Sequence, residues 1–361
     1  MSQQQPQLTV IFPTYDRAHM VTTMLRLLKR SGLRHPLIIA DSSSDALDDS
    51  IIEAAPEGAE LRRYPTSIDF YEKLADVVST VRTPFVLTIP DKKITVPYAI
   101  DELVSILRDR SDYVSAAGYV ARFGMQDADV DLYRVSMFAP SIVDEEPLRR
   151  LYAFVRRYVV SVFAAFRTEA LLVCAKQASA ARGLIFQEVM FMNSLALQGK
   201  IARVPVIFGL HGRERSNRPI ALRNPMHWFL SDGRSFFEHY REYCASLAAL
   251  IHRLGIAPPQ GVDLNRLLDL MHAAWLGREV DTGMISHMAR SLLGDDLPPL
   301  VEETDWPGPR PIGPQDCIDH RSAGRRHIWR GTVLNAEREE ITIGDRDVRE
   351  VNLALDIALE N

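Results

Sequence analysis

Short apolar runs that stop abruptly at polar turns set the frame of this chain. LTVIF, from Leu8, runs into Pro13-Thr14-Tyr15-Asp16-Arg17. PLIIA, from Pro36, runs into Asp41-Ser42-Ser43-Ser44-Asp45, and FVLTI, from Phe85, into Pro90-Asp91-Lys92-Lys93. Brief β-branched and apolar runs bounded by turn residues read as buried strands. Between them, apolar residues recur at helical spacing: Met20, Met24, Leu27 and Leu28 before a stop at Gly32, then Leu74, Val77 and Val78 within Phe70 to Thr80. Ile100, Leu103, Val104 and Leu107 form the same stripe within Tyr98 to Arg108. Strands alternating with helices require right-handed crossovers and a mostly parallel sheet covered on both faces. Ligands of such sheets bind beyond the carboxyl ends of the strands, where the three polar turns converge if their strands are neighbours.

The remaining segments extend the pattern. Ile51 to Ala55 reads as helical and Leu61 to Tyr64 as a third strand, with further strands at Tyr113 to Val120, Tyr158 to Phe166 and Val204 to Leu210. A helix carrying Val189, Met190, Met192, Leu195 and Leu197 ends at Gly199, with Glu188 in its first turn. A basic stretch, His211 to Arg218, follows the late strand. From Pro225 the character changes to long helical patterns, over Pro225 to Leu254, Leu264 to Trp275 and Asp281 to Leu293. Residues 298–314 are rich in proline and glycine and read as a surface wrap. A strand over His327 to Val333 and a helix over Asp347 to Leu359 close the chain, and docking of the stretch from Asp345 through Leu359 back on the α/β unit is one arrangement open to it. The expected division is 1–222 for the α/β unit, 223–297 for a helical extension and 298–361 for the wrap with its last strand and helix.

Composition narrows the class. At 361 residues and 47% apolar the chain can bury a large core, and a net charge of -5 argues against nucleic acid as a partner. Three widely spaced cysteines suit neither a disulfide framework nor a zinc cluster and fit a reducing cytoplasm. No secretory signal or uncharged apolar stretch of membrane-spanning length is read, so the expectation is a cytoplasmic protein, with room for peripheral contact at the inner face of the membrane and for a homo-oligomer.

The turn after the first strand lacks the glycine fingerprint of a dinucleotide binder, and no Walker A loop is present. Instead, TVIFPTYDR, LIIADSSSD and FVLTIPDKKITVP, in that order, resemble three landmarks of the GT-A glycosyltransferases, in the large inverting family 2 group. That family opens with a strand and PTYNR, continues with a strand ending in an acidic DxS, and then has a strand ending in an aspartate-rich DxD. The resemblance covers about residues 8–220 and implies a GT-A fold, an α/β architecture with a mixed, mostly parallel sheet flanked by helices. It also implies a nucleotide-sugar donor and a glycan or glycosylated-protein acceptor, of the kind built into bacterial surface polysaccharides.

The resemblance assigns roles to particular residues. Pro13, Thr14, Tyr15 and Arg17 would line the nucleotide pocket, Asp41 would accept a hydrogen bond from the base, and Asp91 would contact the ribose or help place the diphosphate. Glu188 matches the family's catalytic base, which must deprotonate an acceptor hydroxyl as it attacks the anomeric carbon. The departing diphosphate needs positive charge, normally from Mg2+ or Mn2+ held by the last acid of DxD. Here Lys93 stands at that position, and an ammonium repels a metal but can neutralise phosphate itself. The expectation is therefore metal-independent transfer, with Lys93 or Lys92 in the metal's electrostatic place and His211, Arg213, Arg215 and Arg218 contacting phosphate. A CMP-activated acid sugar, with one phosphate, accounts for the same turn. A reading from another class is a non-catalytic GT-A domain that binds or scaffolds through its helical tail. Each residue also has a plain structural role open to it: Asp41 as an Asx turn, Glu188 on its helix dipole, Arg149-Arg150 and Arg156-Arg157 as surface charge or contact to an anionic lipid face.

Overall fold

A computed structural model describes residues 6–126, 129–136, 140–211, 225–279, 332–334, 340–342 and 345–359. The elements in order are β1 (Leu8–Thr14), α1 (Ala18–Arg30), β2 (Leu37–Asp41), a 3-10 helix (Asp49–Ala54), β3 (Glu60–Arg63), α2 (Phe70–Thr80), β4 (Phe85–Thr88), β5 (Ile94–Thr95) and α3 (Tyr98–Asp109). They continue with β6 (Tyr113–Gln126), β7 (Asp129–Ser136), α4 (Pro147–Arg157), β8 (Ala165–Arg167), α5 (Thr168–Ser179), α6 (Leu184–Gln198) and β9 (Lys200–His211). The last are α7 (Pro225–Ser231), α8 (Gly233–Arg253), α9 (Leu264–Glu279), β10 (Thr332–Leu334), β11 (Glu340–Thr342) and α10 (Asp345–Leu359).

The fold is α/β, with a mixed, mostly parallel sheet of order β3-β2-β1-β4-β8-β6-β9-β5 and β7 paired to β6. β1 lies at its centre-left, parallel to β2 through Thr14↔Asp41 and to β4 through Leu8↔Phe85. β8 runs antiparallel between β4 and β6, and β6 runs parallel to β9. The carboxyl ends of β1, β2, β4, β6 and β9 therefore share one edge, and the chain entering β8 arrives at that same edge.

Local sequence explains the elements. Every residue of β1 is buried, as a central parallel strand requires. α1 buries Val21, Met24, Leu25, Leu27 and Leu28 and ends with Gly32 at a φ of 73°, which glycine adopts without strain. Asp69 starts α2 by accepting from the amides of Tyr71 and Glu72. α6 is buried nearly all round, so it behaves as a core helix rather than a surface one.

Two apolar clusters sandwich the sheet. One joins α1 and α3 to Val351, Ala354 and Leu355 of α10, so the terminal helix docks back on the sheet. Arg346 at its start pairs with Glu102 at 2.7 Å and stacks over Tyr98. The other cluster joins α2, α4, α5 and α6 with Phe236, Tyr243 and Leu247 of α8 and Leu268 and Trp275 of α9.

Three expectations change. The strand expected over Tyr158 to Phe166 shrinks to Ala165–Arg167. Tyr158 sits at a left-handed φ of 38°, and the carbonyls of Val159 and Val162 are taken by side chains, from Arg203 and Thr88, instead of a ladder. The helix expected over Pro225 to Leu254 is two helices, because Asp232 breaks it and caps α8 through the Ser235 amide at 3.0 Å. Arg150 is not surface charge: it is 6% exposed and bonds four carbonyls. The segments expected over Asp281 to Leu293 and 298–314 lie outside the described residues, as do 327–331 of the expected final strand.

Candidate active site

The three polar turns do converge, and they hold one another. The Tyr15 amide donates to Asp91 Oδ2 at 3.2 Å, and Arg17 Nε lies 3.7 Å from the same oxygen. Asp16, in the left-handed region at φ 52°, accepts from the Ser44 amide at 2.7 Å, while its own amide donates to Ser43 Oγ at 2.8 Å. Asp and Asn are among the few non-glycine residues that tolerate this conformation, because their short side chains bond locally. The turns after β1, β2 and β4 thus form one hydrogen-bonded unit.

Asp41 is 2% exposed and largely committed. Its Oδ1 accepts from the Ser43 amide at 3.0 Å and the Ser43 hydroxyl at 2.6 Å, and its Oδ2 accepts from the Leu47 amide at 2.8 Å. This is the Asx-turn role, and it leaves one acceptor site on Oδ2. Thr14, 1% exposed at the end of β1, keeps a buried hydroxyl without a hydrogen-bond partner.

Beneath these turns lies Lys73, 3% exposed on α2. Its ammonium donates to the Thr14 carbonyl at 2.9 Å and to Ser42 Oγ at 2.7 Å. Burial lowers its pKa to about 8, against the pull of Asp41 and Asp91, which favour the charged form. Burial likewise raises the pKa of Asp91, opposed by the Tyr15 amide and by Arg17, Lys92 and Lys73. One buried ammonium therefore anchors both strand ends and faces both carboxylates.

The Asp91–Lys93 turn leads into β5, which pairs antiparallel with β9 through Ile94↔Leu210. That register brings Lys93 beside His211, the last residue of β9. Lys93 Nζ stands 5.9 Å from the centroid of Phe163, and Phe163 packs on Phe70 at the start of α2. Asp69, which caps α2, accepts from Gln187 Nε2 at 3.0 Å and so fixes the start of α6 beside the site. Glu188 follows in the second turn of α6, not the first, and its Oε1 accepts from the Tyr158 hydroxyl at 2.8 Å. The segment 158–164 thus touches both the Glu188 side and the Lys93 side. Arg213, Arg215 and Arg218 lie outside the described residues.

The donor set does not fit a divalent cation. Asp91 is the one carboxylate of its turn, and Arg17, Lys92 and Lys73 surround it. Among the described residues no group of three or more His, Cys, Asp or Glu side chains is placed to hold a metal.

No protein-family model matches the chain, and no curated protein matches it. Among solved structures it is similar to TarS 1-349 of S. aureus, at 12% identity and a TM-score of 0.49, over 80% of this chain and 75% of that one. It is also similar to glucosyl-3-phosphoglycerate synthase from M. tuberculosis in complex with Mn2+, UDP-glucose and phosphoglyceric acid, at 17% identity and a TM-score of 0.39, over 72% and 83%.

Sequence reasoning passed over Lys73, Tyr158, Phe163 and Arg203. Lys73 left a signal: it falls on the apolar stripe of α2 between Phe70 and Val77, where a charge needs a reason. Arg203 left none, because it stands in a strand among mixed neighbours.

Proposed function

We propose that this chain is a glycosyltransferase that moves a sugar from a nucleotide-activated donor to a hydroxyl of a glycan or protein acceptor, with inversion and without a divalent metal. The observation that carries the proposal is the turn unit at the strand ends, in which Asp91, Arg17, Lys92 and Lys93 stand together beyond a mostly parallel sheet. Such an edge is where α/β folds bind ligands. Its excess of cations suits a diphosphate.

In this reading the base of the nucleotide lies against the Asp41 turn and uses the acceptor site left on Oδ2. The buried Thr14 hydroxyl supplies a further polar contact. Glu188 takes the proton from the acceptor hydroxyl while that oxygen attacks the anomeric carbon. The bond from that carbon to the diphosphate breaks, and the charge appearing on the departing oxygen is met by Lys93, with Lys92 and Arg17 beside it. The Lys93 ammonium lies within cation–π reach of Phe163, and β5 begins at the next residue, Ile94. The reaction belongs to the cytoplasmic face of surface-glycan assembly.

Thermal-shift titration with UDP, GDP, dTDP and CMP tests the donor site. A saturable rise with a nucleoside diphosphate supports the reading, and a rise with CMP alone reassigns the donor to a CMP-linked acid sugar. If none of the four raises the melting temperature, the proposal fails and the reading as a non-catalytic binding or scaffolding module gains. Turnover must then survive excess EDTA, and Glu188→Gln must abolish turnover while the nucleotide-induced shift is kept.

A further inference from the structure

Among the described residues, Arg150, Arg167 and Arg203 each turn a guanidinium onto main-chain carbonyls, and the first two behave alike. Arg150 bonds the carbonyls of Ala196 and Leu197 at the end of α6 and those of Asp144 and Glu145, at 2.7–3.2 Å. Arg167 bonds the carbonyls of Tyr113, Leu107 and Arg110 at 2.7–3.0 Å and stacks over Phe85. In both, a cation ties chain segments together, with Nε and the bonded Nη groups spent on carbonyl oxygens.

Arg203 differs. Its Nη1 donates to Ser161 Oγ and its Nη2 to the Val159 carbonyl at 3.0 Å, but its Nε is buried with no hydrogen-bond partner. No carboxylate among the described residues is hydrogen-bonded to it. Burial lowers its pKa to about 10, with only the Tyr119 phenol acting in the other direction. A buried guanidinium N–H left without an acceptor costs stability, and an anion would supply a counter-charge as well as acceptor oxygens.

The space for that anion is on one side only. Towards Lys93, Arg203 shares with Ser161 and Phe163 a gap of about 10 Å³, room for no more than one water. Towards α4, it lines a cavity of about 110 Å³ with Ser141, Phe154, Arg156 and Val159. That is several times the roughly 30 Å³ share of a water molecule. Among the described residues no acid lines it and two arginines do, and the Ser141 oxygen already accepts the Arg203 amide at 2.9 Å, which leaves its hydroxyl hydrogen to donate.

We propose that Arg203 binds a phosphate group in this cavity and that, on the transferase reading above, the phosphate belongs to the acceptor. Arg203 then links the two halves of the reaction. It would touch the anion in a cavity that Val159 also lines, and it holds the 158–164 segment through Val159 and Ser161, next to Tyr158 with its bond to Glu188 and to Phe163 near Lys93. An acceptor seated by its phosphate would be fixed relative to both the base and the leaving-group cation.

The test uses the full chain and sodium phosphate, with sodium chloride at matched ionic strength and sodium acetate as the carboxylate arm. The expected result is a saturable rise in melting temperature with phosphate, absent with chloride and at least tenfold weaker with acetate. Arg203→Met should abolish the rise and keep the nucleotide-induced shift. Arg203→Lys should fold with the charge retained and weaken the phosphate response about tenfold. Arg156→Gln, at the other arginine of the cavity wall, serves as the second cavity variant and should weaken it too. If Arg203→Met lowers the baseline but keeps the full phosphate response, the arginine is only structural and the proposal is overturned. It is also overturned if Lys93→Ala, rather than Arg203→Met, removes the response, since phosphate then sits at the donor turn. Loss of the nucleotide shift in the wild type would strike the transferase reading and leave the phosphate result to stand by itself.

Discussion

The turn unit and the Arg203 cavity both hold buried cations, yet their charges are balanced in opposite ways. At the turns, Asp16, Asp41 and Asp91 each accept from backbone or side-chain donors, and Lys73 sits among them as a buried cation. At Arg203, a buried cation meets a hydroxyl, a carbonyl and an open cavity. The first arrangement is complete by itself and can be rigid before any ligand arrives. The second is complete only with an anion. A site that must place a donor accurately gains from the first kind, and a site that must recognise a charged partner gains from the second.

The largest effect should come from unbalancing the turns. Lys73→Met leaves Asp41 and Asp91 without the ammonium beneath them, and removing one partner from a buried charged group costs about 3 kcal/mol or more. Urea denaturation should show that loss together with a vanished nucleotide shift; a change below about 1 kcal/mol would mean the turns do not depend on Lys73.

A buried network without net charge gives the control. His272, 0% exposed, donates from Nδ1 to the Leu268 carbonyl at 2.7 Å, so its Nε2 accepts from the Tyr243 hydroxyl at 2.7 Å. Burial lowers its pKa from 6.5 to about 4, although the Leu268 carbonyl and Asp269 favour the proton. The unfolded chain thus takes up a proton between pH 6.5 and 4 that the folded chain refuses. Its contribution is full above pH 6.5 and drains away as pH falls to 4, by about 3 kcal/mol at 1.36 kcal/mol per unit. Denaturation at pH 7, 5.5 and 4 should show this slope, and His272→Gln should flatten it.

Lys93→Ala should lower kcat about a hundredfold, the scale of losing one preorganised electrostatic donor, with nucleotide affinity changed far less. Steady-state kinetics would overturn the role if KM rose and kcat held. The smallest effect belongs to Thr14→Val. Its hydroxyl has no partner in the folded chain, so stability should hold, while nucleotide affinity falls several-fold, by about 1 kcal/mol. Calorimetric titration finding equal affinity would leave that hydroxyl without a function.

The strands and helices that carry the turns were legible because their apolar periods are strong. Phe70–Thr80 falls where the spacing of Leu74, Val77 and Val78 puts it. The grouping of Asp41 and Asp91 followed from topology, since parallel neighbours place their carboxyl ends together. What sequence could not give is the state of each group. For Asp41 the sequence leaves base binding and an Asx turn both open, because the Ser43 and Leu47 donors that occupy it come from a turn whose shape only the fold defines. The 158–164 segment misled because VVSVFAAF is as apolar as a strand. Its backbone bonds go instead to Thr88 and Arg203, which are far away in the chain.

The brevity of β8 has an order-of-events consequence. Three residues, Ala165 to Arg167, are all that join β4 to β6 across the middle of the sheet. While the ribosome is still short of residue 165, β1, β2, β3 and β4 can pair, but β4 and β6 present open edges. Only after β8 slots between them can β6 and β9 be tied to the strands before them, and only then does the 158–164 segment reach the turns. The edge that carries the turns is thus assembled late, by a closure over long sequence separation, which slows folding and leaves exposed strand edges in the interval. Three consecutive residues thereby set the time at which the two halves of the sheet become one.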